Sequence, residues 1–312
     1  MPNTNTLYIE LSRPIQNIDT PYLLRQISDP PKKLYALGNT SLFEDTSLKF
    51  LCIIGSRRYT SYGYDAVRHI VQSLKGQPVV IVSGLALGID SIAHTIALEV
   101  GLPCVAVPGS GLSKDVLYPR THLELAESIL KSGGVLLSEY EPEFRASPWS
   151  FPMRNRIMAG LSHTVLIIEG EEDSGTLITA RLALDYNRDV CALPGSIFSE
   201  TSKGPLSLIK NGAVPICTPE DLHRVLGLKT ELILHDSPEK TEEYIHEKSL
   251  QQLADLFEQT GQRDQQVETL NQLLQTYEKS KPLSSWRYKL GMLYFEKGEM
   301  QKASEIWNDL KN

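Results

Sequence analysis

The chain is expected to fold as an α/β protein, a Rossmann-like, mostly parallel sheet with helices on both faces, followed by a small all-α helical-repeat region. Three observations point there. Six short apolar runs rich in β-branched residues, LCIIGS, VVIVSG, CVAVPGS, VLLSEY, TVLIIEG and VCALPGS, recur between Leu51 and Ser196 and alternate with amphipathic stretches. Strands buried on both faces need continuous apolar runs, and strand–helix alternation marks βαβ units. Beyond Leu228 the composition turns charged, and an internal repeat follows.

Taken in order, residues 20–40 (TPYLLRQISDPPKKLYALGNT) hold a short helical pattern and a Pro-Pro break. Residues 1–45 are too short for a core of their own and read as a lead-in packed on the main domain. Residues 46–228 form that Rossmann-like domain. Several of its strands end in Gly or Ser, and ligands of open parallel sheets bind beyond the carboxyl ends of the strands, so these endings mark the functional edge. Residues 229–247, charged and broken by Pro238, read as a linker. In residues 248–312, Leu253-Ala254, Phe257 and Gly261 are echoed 37 positions later by Leu290-Gly291, Tyr294 and Gly298, with Ala303 and Trp307 placed for a second helix. This tail resembles a tetratricopeptide repeat, whose period is about 34 residues; a plain helical hairpin is the alternative. About three stacked repeats are normally needed for stability, so the tail calls for docking, self-association or a protein partner.

At 312 residues and a formal net charge of −7, with 41% apolar content, the sequence describes a globular protein that is not generally basic. Residues 1–228 hold 20 Lys+Arg against 23 Asp+Glu, so any nucleic-acid site must be local. The stretch Arg145–Arg156 carries three arginines and no acid. Cys52, Cys104, Cys191 and Cys217 lack metal-site spacing and read as buried thiols. The N-terminus MPNTNTLYIE has no signal-peptide pattern, and no apolar run is long enough to span a bilayer, so a cytoplasmic protein without membrane contact is expected.

The first glycine turn, Gly55-Ser56-Arg57-Arg58, runs from a buried strand into a helix. Glycine permits close approach of a phosphate backbone, helix-start amides accept anionic oxygens, and arginine clamps phosphate bidentately. It is not GxGxxG and lacks the Walker lysine, which disfavours dinucleotides and nucleoside triphosphates. In the second turn Gly84 and Gly88 make another amide cradle. Asp90 and His94 fall at i and i+4, and a capping Asp90 with a structural His94 is favoured over an acid/base pair. Within six residues, Phe151, Arg154, Asn155 and Arg156 offer a stacking ring, two cations and an amide, a mixture suited to single-stranded nucleic acid. The bland reading is that Phe151 is core and one of the arginines makes an internal salt bridge.

Taken together, SDPPKKLYALGN, IIGSRR, SGLALGIDSIAH, PGSGLSKDVLYPR, FPMRNRIMAGLS, EDSGTLITARLAL, ALPGSIF and KGPLSLIKNGA resemble the DNA-processing protein A (DprA/Smf) family over residues 20–225. The resemblance implies a non-enzymatic binder of single-stranded DNA, without nicotinamide cofactor or metal, that forms homodimers. It also implies protection of incoming DNA and loading of the RecA recombinase in natural transformation and recombination. Carried onto this chain, the DNA contacts are Gly55, Ser56, Arg57, Arg120, Phe151, Arg154, Asn155 and Arg156. Gly84, Gly88, Gly109, Ser174, Gly175 and Thr176 shape the pocket. His122 departs from the family's usual asparagine, the usual N-terminal sterile-alpha-motif-like domain is not expected here, and the repeat-like tail is expected to replace the usual C-terminal winged helix. Neutralising roughly three to five phosphates would give a log–log salt slope of about −2 to −3.5. The alternative is a Rossmann-like nucleotide hydrolase of the lysine-decarboxylase-like (LOG) type, similar at the glycine turns but built on a PGGxGTxxE segment whose glutamate is not matched here.

Overall fold

The structure, a computed structural model, describes Leu11 and residues 14–172, 174–228, 246, 249–251, 253–258, 260–276 and 283–308. Asp173 of the EDSGT segment and nearly all of the expected linker lie outside the described residues. The chain divides into two compact units, Met1–Thr230 and Glu231–Asn312.

The strands of the first unit are β1 (Gln16–Asn17), β2 (Tyr35–Gly38), β3 (Lys49–Ile54), β4 (Val79–Ser83), β5 (Cys104–Ala106), β6 (Val135–Ser138), β7 (Thr164–Ile167), β8 (Asp189–Ala192) and β9 (Val214–Pro215). They form one sheet in the order β1-β2-β6-β5-β4-β3-β7-β8-β9. β2 pairs antiparallel with β1 and β6, and the remaining neighbours are parallel. All six apolar runs become strands. β1, β2 and β9 span two to four residues towards the sheet's margins, too few for a periodic signal.

The eight helices described in this unit are α1 (Tyr22–Arg25), α2 (Ser61–Ser73), α3 (Ile89–Glu99), α4 (Leu123–Lys131), α5 (Ser150–Leu161), α6 (Gly175–Asp185), α7 (Lys203–Lys210) and α8 (Pro219–Val225). The pleat of β3 explains the layering. Leu51 and Ile53 point into one core with Val67 of α2, Ile96 of α3, Ile129 of α4 and Leu222 of α8. Phe50, Cys52 and Ile54 point into the other, against Leu24 of α1, Ile157 of α5 and Ala180 of α6. Because both faces are covered, neither set of alternating side chains meets water, which is why the runs are continuously apolar. α2 begins where the Thr60 hydroxyl accepts the Gly63 N–H at 3.2 Å. Its Val67, Ile70 and Val71 recur on one buried stripe, and full burial of such side chains stabilises by about 1.5–3 kcal/mol each. The Rossmann-like α/β class expected from the sequence is the observed fold.

Cys52, Cys104 and Cys191 are buried, as expected, and desolvation pushes their thiols up, Cys191 to about 12. Cys217 is exposed, which corrects the expectation of a buried thiol there: it follows Ile216 at the start of the turn into α8. No described helix is long and apolar enough to cross a membrane.

The second unit is helical, with helices Arg263–Thr276, Leu283–Glu296 and Met300–Asn308. Leu250, Ala254, Leu270, Leu273, Trp286, Leu290 and Leu293 form its core. Gly261 and Gly298, the echoed glycines, both hold positive φ (+71° and +78°), as residues ending a helix in a left-handed turn do.

Candidate nucleic-acid interface

β3 and β7 are neighbours, but β4, β5 and β6 continue to one side of β3 while β8 and β9 continue to the other side of β7. This reversal opens a crevice beyond the carboxyl ends of the two strands, the position where open α/β sheets bind ligands. A cavity of about 660 Å³ fills it. Gly55, Ser56, Arg57 and Arg58 line it from the β3 side, Gly170, Glu171, Ser174, Gly175 and Thr176 from the β7 side, and Phe151, Arg154 and Asn155 from α5.

The two glycine turns interlock. Gly88 has φ +83°, and a side chain there would run into the backbone of Ser56 and Arg57. The Ile89 N–H donates to the Ser56 carbonyl at 3.2 Å, while the Ser56 hydroxyl accepts the Arg58 N–H at 3.0 Å and donates to the Arg58 carbonyl at 2.7 Å. Ser56 therefore builds the turn, and Arg57 stands exposed at its apex. Its guanidinium carbon lies 5.4 Å from the centroid of the Phe151 ring, a cation–π distance. Among the described residues Arg57 has no ion pair, while Arg58 lies 3.8 Å from Glu171.

Phe151 is half-buried on the wall of the cavity. It fits because position 109 is glycine: a Cβ there would lie 2.6 Å from the ring. The 47%-exposed Tyr118 sets its ring 5.6 Å from that of Phe151 at 55°, so the aromatic wall has two members. Across the cavity α6 presents its N-terminus. First-turn amides have no partner within a helix, and with the helix dipole they favour an anion. The Ser174 hydroxyl oxygen at that end is buried and without a partner among the described residues. The Asn155 side-chain amide donates to the Gly175 carbonyl at 3.4 Å, bracing α5 against α6.

Three of the arginines expected to contact DNA make internal bonds in the structure. Arg154 lines the cavity, but it is 4% exposed and its guanidinium donates to the Gly84 carbonyl at 2.7 Å, to the Val107 carbonyl, and to the Asn155 side-chain oxygen at 3.1 Å. It is a buried tie between the ends of β4 and β5, and a side chain at Gly84 would collide with it. Arg156 points elsewhere: it pairs with Glu139 and, at 3.5 Å, with Asp29 of the lead-in, and donates to the Asp29 carbonyl at 2.9 Å. Burial pushes the Glu139 carboxyl up, while Arg156 opposes that shift. Arg120 donates to the carbonyls of Lys114 and Asp115 at 3.0 and 3.1 Å, closing its own loop outside the cavity lining. His122 bonds through Nδ1 to the Leu85 carbonyl at 2.8 Å, so that edge is also made internally.

Asp90 does not cap its own helix. It accepts the Gly84 N–H at 3.1 Å, holding the second turn; burial pushes its carboxyl up, against the opposing pull of Arg154 and the Gly84 and Ala86 amides. His94 is fully buried and driven down to about 3, so it is a neutral core residue.

Sequence reasoning missed Tyr118 as a wall residue and Glu169 as a hub. The buried Glu169 carboxylate accepts the Thr60 N–H at 2.9 Å, the Thr60 hydroxyl at 2.5 Å and the Thr201 hydroxyl at 3.2 Å, tying the β3, β7 and β8 ends together. Neither partner is near in sequence, so no local signal existed. Among the described residues no cluster of His, Cys, Asp or Glu could hold a metal ion.

Fold and site together define a Rossmann-like protein with an anion-receptive, aromatic-walled cavity at its switch point. The profile of the DNA recombination-mediator protein A family matches residues 14–227, and the chain belongs to that family. The DNA processing protein DprA of Bacillus subtilis (strain 168) is 40% identical over 213 residues, which cover 68% of this chain and 70% of that protein. The X-ray structure of DNA processing protein A from Streptococcus pneumoniae superposes with a TM-score of 0.62 at 36% identity, covering 71% of this chain and 77% of that one. The Helicobacter pylori DNA processing protein A, whose structure describes a unique single-stranded DNA binding mode, gives a TM-score of 0.62 at 31% identity over 70% of this chain and 98% of that one.

Proposed function

We propose that this chain binds single-stranded DNA without sequence preference in the switch-point cavity and performs no reaction on it. The observation that carries this is the exposed Arg57 over the Phe151 ring, with Tyr118 alongside and the α6 N-terminus opposite. Phosphates meet the guanidinium and the helix-start amides, and bases lie on the rings. Among the described residues the carboxylates lining the cavity are Asp90, bonded to the Gly84 amide beside Arg154, and Glu171, 3.8 Å from Arg58, and neither is paired with a nucleophile. The single-stranded DNA binding mode described for the Helicobacter pylori relative supports the same reading.

Beyond the site, the family relationship supports a cytoplasmic homodimer that protects incoming DNA and assists RecA loading in transformation and recombination. The tail, with its paired helix-ending glycines, serves as a tetratricopeptide-like docking unit for a protein partner.

Because Arg154 and Arg156 are buried and Arg120 is tied to its own loop, about two to three phosphates are neutralised, by Arg57 and Arg145 and, on exchange of Glu171 for phosphate, by Arg58, and the log–log salt slope is about −1.5 to −2, shallower than the arginine count of the sequence suggests. Fluorescence anisotropy of labelled oligo-dT and of a matching duplex across a salt series tests this. Tighter binding of the single strand with that slope is the expected result. A flat salt response, or equal affinity for the duplex, would overturn the proposal.

A further inference from the structure

Two residues before Phe151, a second aromatic surface stands outside the cavity. Tyr140 and Phe144 stack with centroids 4.4 Å apart at 22°, and Trp149 sits edge-on to both, 5.8 Å from Tyr140 at 83° and 5.6 Å from Phe144 at 62°. Trp149 is 57% exposed, an unusual position for a large ring that has two aromatic partners. The loop beneath it is fixed. The Ser150 hydroxyl donates to the Gly109 carbonyl at 2.6 Å and accepts the Ser147 N–H at 3.1 Å, and the Tyr140 hydroxyl donates to the Ser150 carbonyl at 3.2 Å. The ring is thus preorganised, so little conformational freedom is lost when a flat ligand settles on it.

The surroundings favour an anionic polymer. Pro148, next to Trp149, lines the cavity, making the two surfaces continuous. Arg145 is exposed on the same loop and has no ion pair among the described residues. Of the acids on this loop, Glu139 pairs with Arg156, Glu141 binds Lys33 at 2.9 Å and the Tyr35 hydroxyl at 2.6 Å, and Glu143 accepts the Ser113 hydroxyl at 2.9 Å. A stacking face beside an unpaired arginine, adjoining a phosphate-receptive cavity, matches the chemistry that holds successive nucleotides.

We infer that Trp149 is a second base-stacking subsite, which carries the single strand out of the cavity past Phe151 and towards Arg145. This rests on the single-stranded DNA reading of the cavity itself. It assigns the strand's route across the carboxyl edge to the β6 side, and it makes affinity depend on strand length.

The test uses the full chain and labelled oligo-dT of two lengths, about six and about twenty nucleotides, one near the lower end of the site sizes of such grooves and one beyond their upper end. Trp149→Ala is expected to weaken binding of the longer strand about tenfold while leaving the short strand nearly unchanged. Trp149→Phe keeps most of the affinity but loses the tryptophan quenching that accompanies binding in the wild type. Arg57→Ala weakens both lengths. If Trp149→Ala binds both lengths like the wild type, or loses both equally, the subsite is overturned while the cavity stands. If quenching persists in Trp149→Phe, the ring is not where bases lie. If the wild type binds neither strand, the cavity reading falls and the subsite with it.

Discussion

Replacing Arg57 with alanine and Phe151 with leucine together is expected to weaken oligo-dT binding about 100-fold, with the melting temperature held within about 2 °C of wild type. Each substitution removes one component of the site. Arg57 is exposed at a turn whose geometry is set by Ser56 and Gly88, so truncating it leaves the turn intact. A charge-assisted phosphate bond contributes about 1.5–3 kcal/mol, and a base stacked on an aromatic ring about 1–3 kcal/mol. Leucine at 151 keeps apolar bulk over Gly109 but offers no π face. The measurement is anisotropy alongside thermal unfolding. A large loss of stability would mean that these residues maintain the fold, and unchanged affinity would place the DNA elsewhere.

Arg154→Ala is expected to do the opposite, destabilising the first unit by roughly 3–5 kcal/mol, a drop in melting temperature of roughly 10 °C. The truncation strips a buried guanidinium from the Gly84 and Val107 carbonyls and leaves Asp90 without its opposing charge. Buried acceptors left unpaired, and a buried carboxylate left without its opposing guanidinium, are costly because no water reaches them. Thermal or urea unfolding reads the effect directly. DNA binding lost in this variant reports the collapse of the second glycine turn, not a missing phosphate contact. Wild-type stability with lost binding would return Arg154 to the list of direct contacts.

The contrast between these two arginines shows what the sequence could and could not reveal. The six buried strands were legible because a strand covered on both faces must be apolar throughout, and Leu51 to Ile54 display that. The glycine turns were legible because close backbone packing at Gly88 leaves no alternative residue. The roles of Arg154 and Arg156 were not. An arginine run reads as one basic patch, but on α5 residues two positions apart, as Arg154 and Arg156 are, point about 160° apart. One guanidinium is turned into the sheet's end and the other towards Asp29 and Glu139 of distant segments. Tyr118 was hidden for the same reason: its stacking partner lies 33 positions away, joined only by the tertiary fold.

The single strand is expected to lie in the cavity between the β3 and β7 ends. Near-ultraviolet crosslinking of oligo-dT carrying 4-thiothymidine, followed by peptide mapping by mass spectrometry, locates it. Adducts on the peptides bearing Tyr118, Trp149 and Phe151 are the predicted result. Adducts confined to the tail, or to the amino edge of the sheet around Phe43 and His163, would contradict it.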